Sequence, residues 1–302
     1  MIYEAIVVNS EEIREALDIP PYKAKQIFRW LAKGCDFAEM SDQSKAFRET
    51  LQENYFAQGV KKIKRLVSED GTEKYLFALN DGAVVEGVLM KYKYGNTLCV
   101  STQAGCRMGC AFCASTLNGL ERSLSAGEIY GEVVAVNRLK EGGLGEGRAV
   151  TNVVLMGSGE PLDNYDNVIG FLRLLNSPDG LNVSYRNISL STCGLVPQII
   201  RLADEGIAVN LTHTPMELTE KTESTVRTEK MPLFITLNVK QQRSKDVQTA
   251  LADMIIRLLR WCFICIRRQE QRRENKTFPV DGRLSIQKTE AHGTLFLEPA
   301  WE

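Results

Sequence analysis

No stretch of this chain approaches the roughly 20 consecutive apolar residues of a membrane-spanning helix. Residues 1–9 carry neither the basic start nor the long apolar run of a secretory leader. Both absences predict a cytoplasmic protein without a membrane partner. A charge excess is missing too: 37 Lys and Arg stand against 38 Asp and Glu, a formal −1 at pH 7. No global field therefore draws the chain to nucleic acid, and any such binding must rest on local patches. Disorder is excluded by a composition of 44% hydrophobic and 25% charged residues over 302 positions, enough for one sizeable core with a small appended domain. What the chain does have is eight cysteines. In a leaderless protein thiols stay reduced, so their clustering reads as metal or redox chemistry rather than a disulfide framework.

Along residues 22–34, Ala24, Ile27, Phe28 and Leu31 recur at helical spacing while Lys23, Lys25, Arg29 and Lys33 take other faces. That is an amphipathic helix with a basic exterior. A second helix follows, with Ser44 as its cap and Phe47 and Leu51 as core contacts, before the basic stretch Lys61, Lys62, Lys64 and Arg65. On charge alone these are solvated faces more readily than nucleic-acid patches. Residues 74–79 and 83–90 alternate in the manner of strands around Asn80, Asp81 and Gly82, a hairpin signal. A strand over 97–102 leads into the cysteines, and 125–139 reads as a helix. The glycine-rich 142–147 is a plain loop. Short apolar strands at 153–156, 188–191 and 209–211 alternate with helices at 168–175 and 196–205. This rhythm predicts an α/β fold with a parallel sheet whose functional loops follow the carboxyl ends of the strands.

Cys106, Cys110 and Cys113 are spaced C-x3-C-x2-C, with Phe112 before the last. Three thiols on one loop can converge on three irons of a [4Fe-4S] cluster. The fourth iron is then free to chelate the amino and carboxylate groups of S-adenosylmethionine, whose carbon–sulfur bond one electron can break to give a 5′-deoxyadenosyl radical. A zinc site with a distant fourth ligand, or a chance grouping, are the competing readings.

The cysteine motif after a strand resembles the radical S-adenosylmethionine enzymes, and its surroundings narrow the resemblance to the RlmN family. The residues that carry it are Glu86 within 84–90, the run 97–106, Gly157 to Leu162, Asn164 to Asn167, and 190–197. The helical segments 23–30 and 40–51 match the family's small N-terminal domain. The likeness runs from about residue 10 to about 211. It implies a partial (β/α) barrel of the radical S-adenosylmethionine type behind a helical accessory domain, with boundaries at 1–65, 66–211 and 212–302. It implies a methyltransferase acting on carbon 2 of an adenine in 23S rRNA and in tRNA, monomeric and served by an electron donor such as flavodoxin. The related family acting on carbon 8, or a non-catalytic RNA-binding remnant, are the alternatives.

By the same resemblance Cys106, Cys110 and Cys113 hold the cluster, and Gly159, Glu160 and Ser191 contact S-adenosylmethionine. Glu86 stands where the family has the base that takes the carbon-2 proton. Cys99 matches the cysteine that resolves a protein–RNA thioether. Read alone, Glu86 is an exposed strand carboxylate, Cys99 a small buried hydrophobe and Ser191 a turn residue; Cys193, Cys35 and His292 keep such readings. The basic helices become part of an RNA surface, binding phosphate rather than reading bases. Two departures stand out. Ser158 replaces a usual Met, and beyond Leu211 the family's Ser-Leu-His and its terminal methyl-carrying cysteine are not recognisable. Cys262 and Cys265, in 254–266, read as two apolar thiols in a helix. The expectation is a frameshifted or otherwise aberrant tail over 212–302, which would leave a sheet edge unpaired.

Overall fold

A computed structural model describes residues 9–110, 113–213, 236–238, 283–288 and 295–300. It divides into two compact units, Met1–Ser244 and Lys245–Glu302. In the second unit the described part is an antiparallel ladder of Arg283–Lys288 with Leu295–Ala300. Cys262, Cys265, His292 and the apolar 254–266 lie outside the described residues.

The first unit opens with three helices that follow their capping chemistry. Helix α1 (Ser10–Leu17) begins where the Asn9 side chain accepts from the amides of Glu11 and Glu12 at 2.9 and 3.0 Å. Helix α2 (Pro21–Ala32) starts on a proline, whose missing N–H costs nothing there, and buries Ala24, Ile27, Phe28 and Leu31. Helix α3 (Lys45–Asn54) is capped by Ser44, whose Oγ accepts from the Phe47 amide at 3.4 Å. Leu51 is buried as its spacing requires. Phe47 is not a core residue: it is half-buried, with the Lys23 ammonium 3.6 Å above its ring.

Eight strands form one sheet in the order β1-β2-β3-β4-β7-β8-β9-β10. They are β1 (Val60–Val67), β2 (Glu73–Leu79), β3 (Val84–Tyr92), β4 (Gly95–Cys99), β7 (Asn152–Leu155), β8 (Ile188–Thr192), β9 (Asn210–His213) and β10 (Thr236–Asn238). Two short strands, β5 (Gln103–Gly105) and β6 (Leu120–Ser123), make a separate ribbon between β4 and β7. The meander β1 to β4 is antiparallel, β4 to β9 are parallel neighbours, and β10 returns antiparallel on β9. The expected parallel sheet is therefore its centre, with the hairpin turning on Gly82 at φ 94° as the sequence predicts. Helices α4 (Ala126–Leu139), α5 (Tyr165–Leu175) and α6 (Val196–Asp204) supply the crossovers. Ser125 and Glu128 close a reciprocal capping box at the start of α4.

The basic stretch 60–67 is the outermost strand of the meander rather than a helix surface, and all but Val60 of its residues are exposed. Charge hid this strand, because lysines replace the apolar half of its alternation. The helices dock on the α/β core through ion pairs, Arg29 with Asp179 at 2.7 Å and Arg138 with Glu39 at 2.8 Å. Among the described residues no helix is long and apolar enough to cross a membrane.

Glu73, buried at the head of β2, gathers Arg65 of β1 at 2.8 Å, Lys91 of β3 at 3.4 Å, the Tyr75 hydroxyl at 2.5 Å and Lys140 at the end of α4. Burial alone would raise its pKa, but the bonds from Arg65, Lys140 and Tyr75 outweigh it and hold the carboxyl at about 2. A depressed carboxylate stabilises the fold above its ordinary pKa, and that stabilisation is lost as pH falls through the folded value. Acid unfolding followed by circular dichroism should therefore show a Glu73 contribution vanishing between about pH 4.5 and pH 2. Glu73→Gln should flatten that window and cost about 1–3 kcal/mol at neutral pH, measured by urea unfolding.

Candidate functional site

The three clustered cysteines sit on the loop of the β5–β6 ribbon. Gly105, at φ 75°, brings the chain so close to the Gly119 carbonyl that a side chain there would collide, and the Cys106 amide bonds that carbonyl at 3.0 Å. The Cys113 amide donates to the Cys110 carbonyl at 3.1 Å. Thr116 Oγ1 donates to the Cys113 carbonyl at 2.9 Å. Arg107 grips Asp163 with two nitrogens at 2.5–3.2 Å, fixing the loop to the turn after β7. Burial pushes the Asp163 carboxyl up, but Arg107 and Gln103 outweigh it and bring it below the usual range.

The thiols lie close enough to influence one another. Burial raises Cys106, and neighbouring Cys113, Glu160 and Asp163 raise it further; burial raises Cys110 to about 11, with Cys113, Cys106 and Glu160 adding. Among the described residues no three His, Cys, Asp or Glu close on a single ion. Three cysteines on one loop that influence one another's thiols are the donor chemistry a cluster of several irons takes. The donor set fits a [4Fe-4S] group.

Beside the loop, Gly157-Ser158-Gly159-Glu160 turns out of β7. Gly159 stands at φ 101°, and a Cβ there would lie 2.5 Å from Gln103 Cβ, so only glycine fits. Glu160 is buried. Its Oε1 accepts from the Leu162 amide at 3.0 Å and its Oε2 from the Cys193 amide at 2.8 Å. Cys193, given a bland reading from sequence, has its thiol raised first by burial and then by Glu160, Cys110 and Cys106, so it lies close to them as well. Ser191 is half-buried near the carboxyl end of β8. These loops follow the carboxyl ends of β4, β7 and β8, where the parallel sheet predicts function.

Glu86 and Cys99 lie on β3 and β4. Opposite residues of an antiparallel ladder share a face, and Cys99 is opposite Val88, two residues from Glu86, so both side chains belong to one face. The Glu86 carboxylate pairs with Lys74 and both are about half exposed. Burial raises the Cys99 thiol to about 12, with Glu132 and Glu86 adding to the effect.

Sequence reasoning missed the residues that hold these parts together. Ser101, fully buried, donates from Oγ to the Glu86 carbonyl at 2.8 Å and accepts from the Ser158 amide at 2.9 Å. The amides of Thr102 and Gln103 bond the Ser158 carbonyl at 2.8 and 3.1 Å. Gln103 Oε1 accepts from the Glu160 amide at 2.9 Å, while its Nε2 reaches Asp163 at 2.9 Å and Ser123 at 3.2 Å. Asn164 ties the Thr102 and Leu124 carbonyls at 2.9 and 2.7 Å. From α4, fully buried Glu132 accepts from the Ser101 amide at 3.2 Å, and burial holds its carboxyl well above the usual range. Among the described residues Ser158 takes part through its backbone.

The chain was compared with known proteins. Residues 100–231 match the model of the radical SAM superfamily, and residues 11–56 that of the ribosomal RNA large subunit methyltransferase N-terminal domain. A probable dual-specificity RNA methyltransferase RlmN of Clostridium novyi is 52% identical over 194 residues, 63% of this chain and 54% of the relative. One of Geobacillus kaustophilus is 42% identical over 237 residues, 77% and 62%. The crystal structure of a radical SAM methyltransferase from Sphaerobacter thermophilus superposes with a TM-score of 0.64 at 38% identity, covering 70% of this chain and 63% of that one. The chain thus spans between half and two thirds of the length of these relatives.

Gln103→Ala should leave the Glu160 amide and the Asp163 carboxylate short of a partner and lower stability by about 1–3 kcal/mol in urea unfolding. Ser158→Ala, which keeps the backbone bonds, should stay within about 0.5 kcal/mol of the parent.

Proposed function

We propose, from the premise that the chain belongs to the RlmN family of the radical SAM superfamily, that it is an RNA methyltransferase acting on carbon 2 of adenine in 23S rRNA and tRNA. The observation that carries this is the cysteine loop set against the Glu160 turn, at the carboxyl ends of parallel strands whose sheet also bears Glu86 and Cys99. Membership implies a [4Fe-4S] cluster and S-adenosylmethionine. Held by Cys106, Cys110 and Cys113, such a cluster would supply one-electron reduction of S-adenosylmethionine.

In this reading Cys106, Cys110 and Cys113 are the protein ligands. Glu160, held by two backbone amides, keeps lone pairs for the ammonium of S-adenosylmethionine, and Gly159 lets the turn come close. Ser191 borders the same cofactor. Glu86 accepts the proton that carbon 2 gives up, at a carboxylate that must first part from Lys74. Cys99 resolves the protein–RNA adduct; its raised pKa keeps it a thiol until a base meets it. The N-terminal helices contribute to RNA binding, and an electron donor such as flavodoxin serves a cytoplasmic monomer. Residues 212–302 depart from the family pattern, so the methyl-carrying cysteine has no assigned position here. That departure is the observation favouring the second reading, an RNA-binding remnant without turnover.

Anaerobic reconstitution with iron and sulfide, followed by absorbance and by mass spectrometry of nucleosides, tests the reading. The parent should gain a brown chromophore, form 5′-deoxyadenosine and leave 2-methyladenine in RNA. Simultaneous Cys106→Ala, Cys110→Ala and Cys113→Ala should abolish all three. A full chromophore in that triple variant would refute the ligand assignment. 8-Methyladenine alone would move the chain to the related family, and RNA binding without 5′-deoxyadenosine would mark the remnant.

A further inference from the structure

The sheet face that bears Glu86 also bears a row of lysines. Along β2 and β3 the odd-numbered Tyr75, Phe77, Val85 and Leu89 are buried, whereas Lys74, Leu76, Glu86 and Val88 are exposed or half-exposed. Strand β1 extends that open face. Its Lys61 stands opposite Ala78, Lys64 opposite Leu76 and Leu66 opposite Lys74, so all three share it. Leu76 is in turn opposite Glu86. Lys64, Leu76 and Glu86 therefore form one row across three strands, about 10 Å from end to end at the backbone.

A regular strand would send Lys62 and Lys64 to the same side. The register shift between them, with Ile63 as the extra residue, separates them instead. Lys62 lies opposite Phe77 and Arg65 opposite Tyr75, on the other face, where Arg65 closes on Glu73. The bulge thus moves Lys64 onto the face of the proposed base.

The cations of α2 are less available. Lys25 and Arg29 pair with Asp179, Lys23 covers the Phe47 ring and Lys33 lies 5.3 Å from the Trp30 ring. Lys61 and Lys64 are exposed and make no ion pair among the described residues. We propose that Lys61, Lys64 and Lys74 bind successive phosphates of an RNA strand laid across the open face of β1 to β3, which delivers the target base to Glu86. This rests on the RNA methyltransferase reading and adds where the substrate backbone runs. A row of ammonium groups suits a phosphodiester chain, because each is a point cation that fixes position without reading sequence. A phosphate that draws Lys74 away also frees the Glu86 carboxylate to accept a proton.

The test is fluorescence anisotropy of the full chain with a short hairpin RNA carrying a loop adenine, over a series of salt concentrations. Lys61→Gln and Lys64→Gln should each flatten the slope of log affinity against log salt by about 0.7–0.9, one phosphate contact apiece. Lys62→Gln, one charge lost from the same strand on the opposite face, should leave the slope unchanged. Equal effects at Lys62 and Lys64 would overturn the proposal, as would unchanged slopes at Lys61 and Lys64, including the case where those lysines serve an acidic donor protein instead. A parent that binds the RNA with unaltered variant slopes refutes only this placement. A parent that fails to bind RNA refutes the methyltransferase reading with it.

Discussion

Three buried polar residues between the end of β4 and the first cysteine, Ser101, Thr102 and Gln103, bear the hydrogen bonds on which the site depends. The sheet ladder stops at Cys99, so the backbone beyond it must find partners elsewhere or leave buried amides unsatisfied. It finds them in the Ser158 carbonyl and the Glu132 carboxyl, after Val100 has taken one last bond from β7 at Val154. The same few residues reach Glu86 on one side, Glu160 on another and Asp163, which anchors Arg107 of the cysteine loop, on a third. Parts contributed by β3, β5, β7 and the loops after them are thereby set by one short segment. The satisfied bonds fix these parts, while Thr102 Oγ1 and Glu132 Oε1 are buried without a hydrogen-bond partner among the described residues.

Much of the fold was legible because it follows patterns with a physical period. The stripe Ala24, Ile27, Phe28 and Leu31 is buried as its spacing demands, and the hairpin around Gly82 forms where the chain needs a positive φ. The cysteine spacing made its loop legible, since three thiols so close in sequence have few other uses. The failures have causes as definite. Strand β1 escaped notice because an outer strand with both sides wet need not alternate, and its lysines read as a solvated charged face. Phe47 was assigned to the core on apolar character alone, although a neighbouring lysine can cover a ring as well as a core can. The hub at 101–103 left no signal: Ser, Thr and Gln follow no period, and what they bond is decided by strands distant in sequence. Cys193 looked bland for a related reason, since only the parallel pairing of β7 with β8 brings it to Glu160.

Two carboxylates on opposite faces of the meander divide its labour. Glu73 gathers three cations and a hydroxyl from β1, β3, β2 and α4, and so fastens the meander to the helix behind it. Glu86, opposite Leu76 on the other face, has a single lysine partner among the described residues and stays half exposed. A carboxylate surrounded by fixed donors is committed to structure, whereas one held by a single flexible lysine can exchange partners cheaply.

The missing side chain at Gly87 admits the Glu132 carboxyl to the back of the sheet. A Cβ at that glycine would stand 3.0 Å from the Phe77 ring, 3.2 Å from the Cys99 carbonyl and 3.4 Å from Glu132 Oε2. Positions 77 and 87 are therefore not independent in evolution. A side chain at 87 would need the Phe77 ring and the Cys99 backbone each to give by a few tenths of an ångström, and a smaller ring at 77 would ease the first of these but not the second. The order in which such changes accumulate is constrained by contacts between neighbouring strands.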